Sequence, residues 1–308
     1  MGDAKAMSAR VNSDDTDECG SSAARTLRVA IVASPDKPPA AEALERLRRW
    51  LAGRAELVYA GVTYDSGAAA AAEPDLLMVL GGDGTLIAAV HGLCERQVPI
   101  VGINLGKLGY LADFTIEELE QEGGFLFAGA LPVTRRAMMQ VTIERSAGRV
   151  HCGPAVNDCV ILAGPPFHMI QTTVEVDGDE VAVVRGDGLI VATPSGSTAH
   201  NLAAGGPIVE PTGEAFILTP ICPHALTYRP LVLDAGRKIV IRAEQTNVGT
   251  SIAVDGRTTE PFGVGDRVVI TRYAADFLLV RNPKRSEWHA LRRKLRWGEG
   301  PNMHTAGG

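Results

Sequence analysis

The most constraining stretch of this 308-residue chain is DLLMVL (75–80), which runs straight into GGDGT (81–85) and then LIAAVHGLCE (86–95). The first run has the length and composition of a strand buried on both faces, and the last favours helix. Few arrangements accept that order except a strand–turn–helix unit of an open α/β sheet. The glycine turn then falls at the carboxyl end of the strand, where such sheets place ligands. Glycine lets backbone N–H groups close on an anion, and the helix N-terminus adds a favourable dipole. Gly81, Gly82, Gly84 and Thr85 therefore form a candidate phosphate loop. Asp83 is the anomaly there, because a carboxylate repels phosphate. It acts through magnesium or takes a proton from an attacking hydroxyl; alternatively, Asp83 or Thr85 simply caps the helix.

The surrounding order extends the α/β pattern. LRVAIVAS (27–34), ELVYAGV (56–62) and VPIVGIN (98–104) read as strands. PAAEALERLRRWLAG (39–53) reads as a helix with Leu44, Leu47 and Leu51 on one face and Gly53 as cap. The Ala68–Ala72 run also favours helix. Residues 1–25 are polar and aperiodic and are expected to be a disordered tail; 26–131 are expected to form a doubly wound parallel-sheet domain. From Pro132 short β-rich runs follow one another without helical spacers, with Asp177-Gly178 and Asp255-Gly256 as turn dipeptides. Residues 132–275 are thus expected to be an all-β, sandwich-like domain. The remainder, 276–308, carries the helical stretch SEWHALRRKLRWG, with Trp288, Leu291 and Leu295 on one side, expected to return to the first domain.

Charge and composition narrow the function classes. Thirty Lys and Arg stand against 36 Asp and Glu, a net charge of −6, and aromatics are 5% of residues, which argues against a nucleic-acid binder. Cys19, Cys94, Cys152, Cys159 and Cys222 are odd in number and form no CxxC pair, so they read as reduced thiols of a cytoplasmic protein. The N-terminus has no apolar core for a signal peptide, Ala6 breaks a myristoylation motif, and no apolar run approaches the roughly 20 residues of a membrane span. No membrane partner is expected.

Three further segments bear chemistry. NLGKLGYLADF (104–114) offers Lys107 to phosphates, although a lone loop lysine is often merely solvated. Asn157-Asp158 suits the hydroxyls of a ribose or a base edge, or is only a turn. RGDGLIVATPSGSTAHNLAAGGPIVEP (185–211) is rich in glycine and hydroxyls; it binds a polar ligand or is a close-packed turn and helix. No GxSxG elbow supports a serine hydrolase, and the histidines lack HxxH or HxxxH metal spacing. Lys284, Arg285, Arg292, Arg293, Lys294 and Arg296 read as a solvated helix face.

Taken together, GGDGT, INLGKLGYLADF, NDCVI, DGLIVATPSGSTAHNLAAGGPIV, PICPHALTYRPLV, VDGR and LRWG resemble the NAD kinase family, in the family's order from about residue 27 to 298. GGDGT alone is shared with diacylglycerol-type lipid kinases; TPSGSTAHNLAAGGP is the part specific to NAD kinases. The resemblance implies transfer of the γ-phosphate of ATP to the 2′-hydroxyl of the adenosine ribose of NAD. Asp83 would be the base, beside Gly84 at the dinucleotide. Asn157, Asp158, His168, Arg185, Asp187, Ser195, Thr198, Ala199, His200, Asn201, Leu202, Ala203 and Arg257 fall at the family's other NAD contacts. Asp158 replaces a Glu, Ser195 a Thr, His200 a Tyr, and Arg257 a frequent Gln. Magnesium, or another divalent cation, would enter with ATP and not on a protein-held site. The family implies a homo-oligomer, dimer or tetramer. The rival readings are a lipid kinase on the same loop and a dinucleotide sensor without turnover.

Overall fold

The computed structural model describes residues 26–106, 109–286 and 288–296. The 1–25 tail with Cys19, Lys107 and the closing Trp297-Gly298 of the sequence reading lie outside them.

Four parallel strands lie in the spatial order Glu56–Val62, Arg28–Ala33, Leu76–Gly81 and Ile100–Asn104. Leu76–Gly81 is buried throughout because both faces of the sheet are covered. Leu76, Met78 and Leu80 pack with Leu44, Leu47 and Leu51 of the helix Ala40–Leu51. Leu77 and Val79 pack on the opposite face with Leu86 and Val90 of the helix Asp83–Leu93, and with Met138, Val156 and Tyr273 from the β half. That helix is apolar nearly all round because it is caught between the sheet and the β half. Arg28–Ala33 has its two chain successors on opposite sides, so the strand order reverses beside Leu76–Gly81 and opens a crevice at its carboxyl end. GGDGT sits there.

Two more strands complete this sheet. Phe277–Val280 adds parallel to Ile100–Asn104, and Val133–Arg136 closes the edge antiparallel to it. The chain thus contributes one more strand to the first sheet after Pro132 before entering the β half.

The β half is a sandwich of two six-stranded antiparallel sheets. Val141, Ile143, Val174, Ile239, Ile241 and Ile270 of one sheet face Ile161, Leu189, Val191, Phe216, Ile252 and Val254 of the other. Asp177 (φ 53°) and Gly178 (φ 95°) turn Ile170–Val176 into Asp179–Gly186, and both positive angles match a primed hairpin turn.

The C-terminal segment docks on the parallel-sheet half, and the basic cluster takes part. Arg285 Nη1 donates to Asp113 Oδ1 at 2.8 Å and Nη2 to Glu118 Oε1 at 2.6 Å. Lys284 pairs with Glu122, and the Lys294 ammonium lies 4.7 Å from the centre of the Tyr110 ring. The solvated-face reading therefore fits Arg292 and Arg293, which are exposed, but not Arg285. The final helix is short, His289–Leu295, and Trp288 stays 53% exposed instead of joining a buried stripe.

Candidate active site

Asp83 opens its helix without capping it. The N-cap is Gly82, which makes no side-chain cap bond. The Asp83 carboxylate turns instead to the next glycine-rich loop, accepting from Tyr110 N at 2.8 Å on Oδ2 and from Leu111 N at 2.9 Å and Ala112 N at 3.2 Å on Oδ1. A carboxylate has about four acceptor positions, so these three bonds leave one on Oδ2. Gly109 allows this approach: an added Cβ would lie 1.8 Å from Asp83 Oδ1. Thr85 is buried, and its N–H is committed to the Gly82 carbonyl at 3.0 Å. Among the described residues, the amides of Gly82, Asp83 and Gly84 have no acceptor outside the helix and are left for an anion. Added Cβ atoms at Gly82 and Gly84 would meet nothing within 4 Å, so the approach to them is open.

Arg136 is a candidate site residue that the sequence did not single out. Strand alternation in Val133–Arg136 sends Arg135 outward to Asp276, at 2.7 Å, and Arg136 inward. Its Nη1 lies 3.4 Å from Ser195 Oγ, a long contact, and its buried Nε has no partner among the described residues. Burial pushes the guanidinium down to about 10, opposed by the negative charges of Asp83 and Asp113 and helped by Arg281. It is still a cation at neutral pH. The available signal was a pair of arginines before the apolar run AMMQV, but only the strand register shows which of them points inward.

Asn157 and Asp158 gather around a second carboxylate, and this one is buried. Asp255, in the turn after Ser251–Val254, has a fully buried side chain. It accepts from Val156 N at 2.8 Å, Asn157 N at 2.7 Å and Asp158 N at 3.0 Å. His91 Nε2, on the helix Asp83–Leu93, donates to it at 2.7 Å. Next to this cluster, burial pushes the Asp158 carboxyl up to about 7; the charge of Asp255 adds to the shift and the His200 backbone N–H opposes it. The Asn157 carbonyl accepts from Thr193 N at 2.8 Å. Gly196 closes over it, where a Cβ would sit 2.0 Å from that oxygen.

Arg136 thus meets Ser195 within the field of the Asp83 charge, while Asn157 lies against Gly196 and Asp158 against the first N–H of the helix His200–Ala203. Ser195 is buried, Thr198, Ala199 and Leu202 are half-buried, and His200 and Ala203 are exposed. Asn201 is fully buried, and its amide is spent internally: Nδ2 donates to Ser197 O and Pro207 O, each at 3.1 Å, and Oδ1 accepts from Thr219 at 2.6 Å. Its side chain therefore braces the segment. His168, Arg185 and Asp187 are exposed around the Ile170–Gly186 hairpin, with Arg185 Nε donating to Gln171 at 2.8 Å. Arg257 is exposed on the turn beside Asp255.

Residues 63–123 match the ATP-NAD kinase N-terminal domain and residues 156–282 the ATP-NAD kinase C-terminal domain. The NAD kinase of Rhodopirellula baltica is 38% identical over 94% of this chain and 93% of its own length. That of Syntrophobacter fumaroxidans is 35% identical over 88% of this chain and 99% of its own. Among solved structures, yeast NADH kinase complexed with NADH shares the fold at a TM-score of 0.79, covering 91% of this chain and 90% of its own at 24% identity. An NAD kinase from Archaeoglobus fulgidus in complex with ATP aligns at 0.70 with 30% identity, covering 88% of this chain and 99% of its own. Both halves of the fold thus have their counterparts in one set of enzymes: the chain belongs to the NAD kinase family.

Proposed function

We propose that Asp83 is the general base of this kinase, taking the proton from the 2′-hydroxyl of the adenosine ribose of NAD as the γ-phosphate of ATP is transferred to that oxygen. The observation that carries this is the Asp83 carboxylate, fixed by three backbone N–H groups at the mouth of the crevice with one acceptor position left over. A base held so rigidly needs little reorganisation when the hydroxyl arrives. ATP lies along the Gly82–Gly84 amides, and Arg136 supplies a cation to the transferring phosphate; its unpartnered Nε supports that role. Asn157, Asp158 and the 195–203 segment hold the dinucleotide. The NADH and ATP complexes of the relatives support this pairing of substrates.

The divalent cation is part of the ATP substrate in this scheme. In it the phosphate oxygens supply the ligands, as is usual for magnesium in phosphoryl-transfer sites. The enzyme works as a homo-oligomer, dimer or tetramer, as its family resemblance implies. It works in the cytoplasm, which the unpaired state of Cys94, Cys152, Cys159 and Cys222 supports. No described helix is long and apolar enough to cross a membrane. A lipid-kinase reading leaves the 195–207 segment without a task, and a sensor has no need of a positioned carboxylate. Incubation with NAD and MgATP, with diacylglycerol vesicles as the competing acceptor, separates the three. NADP formation supports this reading; lipid phosphorylation or dinucleotide binding without turnover overturns it.

A further inference from the structure

We propose that His91 and Asp255 form a positioning pair that sets the register between the catalytic helix and the dinucleotide segment. The proposal rests on the reading of Asp83 as base and of Asn157-Asp158 as part of the NAD site. The helix Asp83–Leu93 carries Asp83 in its first turn and His91 in its last, about 12 Å apart along a rigid axis. On the other side of the seam the Asp255 carboxylate gathers three consecutive amides, those of Val156, Asn157 and Asp158. With His91 Nε2 it has four donors, which fills its acceptor positions. A carboxylate so saturated and fully buried has no lone pair to offer substrate, so its work is done through the backbone it holds.

The division of labour among the donors is informative. Three of the four belong to the β half and shape the 156–158 segment locally. His91 comes from the parallel-sheet half, 164 residues away in sequence, and ties that segment to the helix bearing the base. Without the tie, apolar packing still joins the two halves through Leu86, Val90, Met138 and Val156, but that packing is non-directional and leaves small sliding shifts open. Phosphoryl transfer is sensitive to such shifts, since a misplacement of about 1 Å can cost about 10²-fold in rate. The pair therefore acts on turnover more than on binding. NAD is still held by the β half when it is broken, and ATP by the glycine loop.

The test compares His91→Ala, His91→Asn and His91→Gln in the full chain with NAD and MgATP. The Gln amide nitrogen reaches about as far as Nε2, whereas Asn stops one methylene short. Expected are a fall in kcat of at least about ten-fold for Ala and Asn, recovery to within about three-fold of wild type for Gln, and a Kd for NAD and a KM for MgATP within about three-fold throughout. In an Asp255→Ala background, which leaves His91 Nε2 no partner at that position, adding His91→Ala should cost little more. Should Ala not fold, the Asn and Gln variants carry the comparison. Wild-type kcat in Asn, equal losses in Asn and Gln, or a loss confined to NAD binding would each overturn the proposal. Absence of NADP formation by the wild-type chain would instead count against the base and NAD-site reading beneath it.

Discussion

The Asp83 carboxylate fills the space where Gly109 would carry a side chain, with an added Cβ only 1.8 Å from Oδ1. The glycine and the aspartate are therefore coupled although 26 positions separate them, and the loop amides of 110–112 reach the carboxylate only while residue 109 has no Cβ. Gly109→Ala should displace the carboxylate and lower kcat by at least about ten-fold, since a shift of about 1 Å at the reacting centre is enough. Circular dichroism should show a folded protein. A folded variant with wild-type turnover would mean that this contact does not position the base.

Asp158 gives a pH dependence to stability. Its carboxyl is pushed up to about 7 in the folded chain, mainly by burial, against about 3.9 for an ordinary aspartate. Between those values the folded state binds a proton that the unfolded state has released. Stability contributed by this group is therefore full below about pH 4, falls as pH rises, and levels off above about pH 7. Asp158→Asn removes the titration, so its Tm should exceed that of wild type at pH 8 by more than at pH 5. Equal differences at both pH values would show that Asp158 titrates normally.

Arg136 is expected to matter for transfer rather than for fold. Arg136→Met should lower kcat on the order of 10²-fold, the scale of losing one electrostatic contact to the transition state. Arg136→Lys should recover part of this, because a lysine keeps the charge but loses the planar fork. Steady-state kinetics with varied MgATP reads both. A Met variant with unchanged kcat would remove Arg136 from the site.

Arg285 makes the docking of the C-terminal segment testable. Its guanidinium is 13% exposed and bridges Asp113 and Glu118. Truncation leaves two partly buried carboxylates short of donors, so Arg285→Ala should cost about 1–3 kcal/mol in urea unfolding. No change in the midpoint would mean that the segment is held by other contacts.

What was legible in the sequence follows the physics of burial. Strands buried on one or both faces, such as Leu76–Gly81 and Gly188–Ala192, announce themselves by apolar runs, and the Asp177-Gly178 turn by its dipeptide. The strands with the weakest apolar alternation, Val133–Arg136, Gly148–Ala155, Leu231–Asp234 and Thr258–Pro261, all lie at sheet edges. An edge strand tolerates proline and exposed polar residues, as Pro154 and Pro261 show, and so leaves little periodic trace. The glycine loop and Asp83 were legible because their order implies a turn at a strand end. Arg136, His91 and the saturation of Asp255 were not, because each depends on partners 59 to 164 residues away. No local pattern encodes such pairings.

The most direct test of the account is the rate of NADP formation by Asp83→Asn with saturating NAD and MgATP, alongside calorimetric NAD binding. The Asn oxygen can still accept from Leu111 and Ala112, while its amide nitrogen faces the Tyr110 N–H, so the fold should survive at a cost of about 1–3 kcal/mol. With the base removed, kcat should fall by about 10²–10⁴ while the Kd for NAD stays within a few-fold of wild type. A folded variant that still forms NADP within a few-fold of the wild-type rate would contradict the assignment of Asp83 as the base.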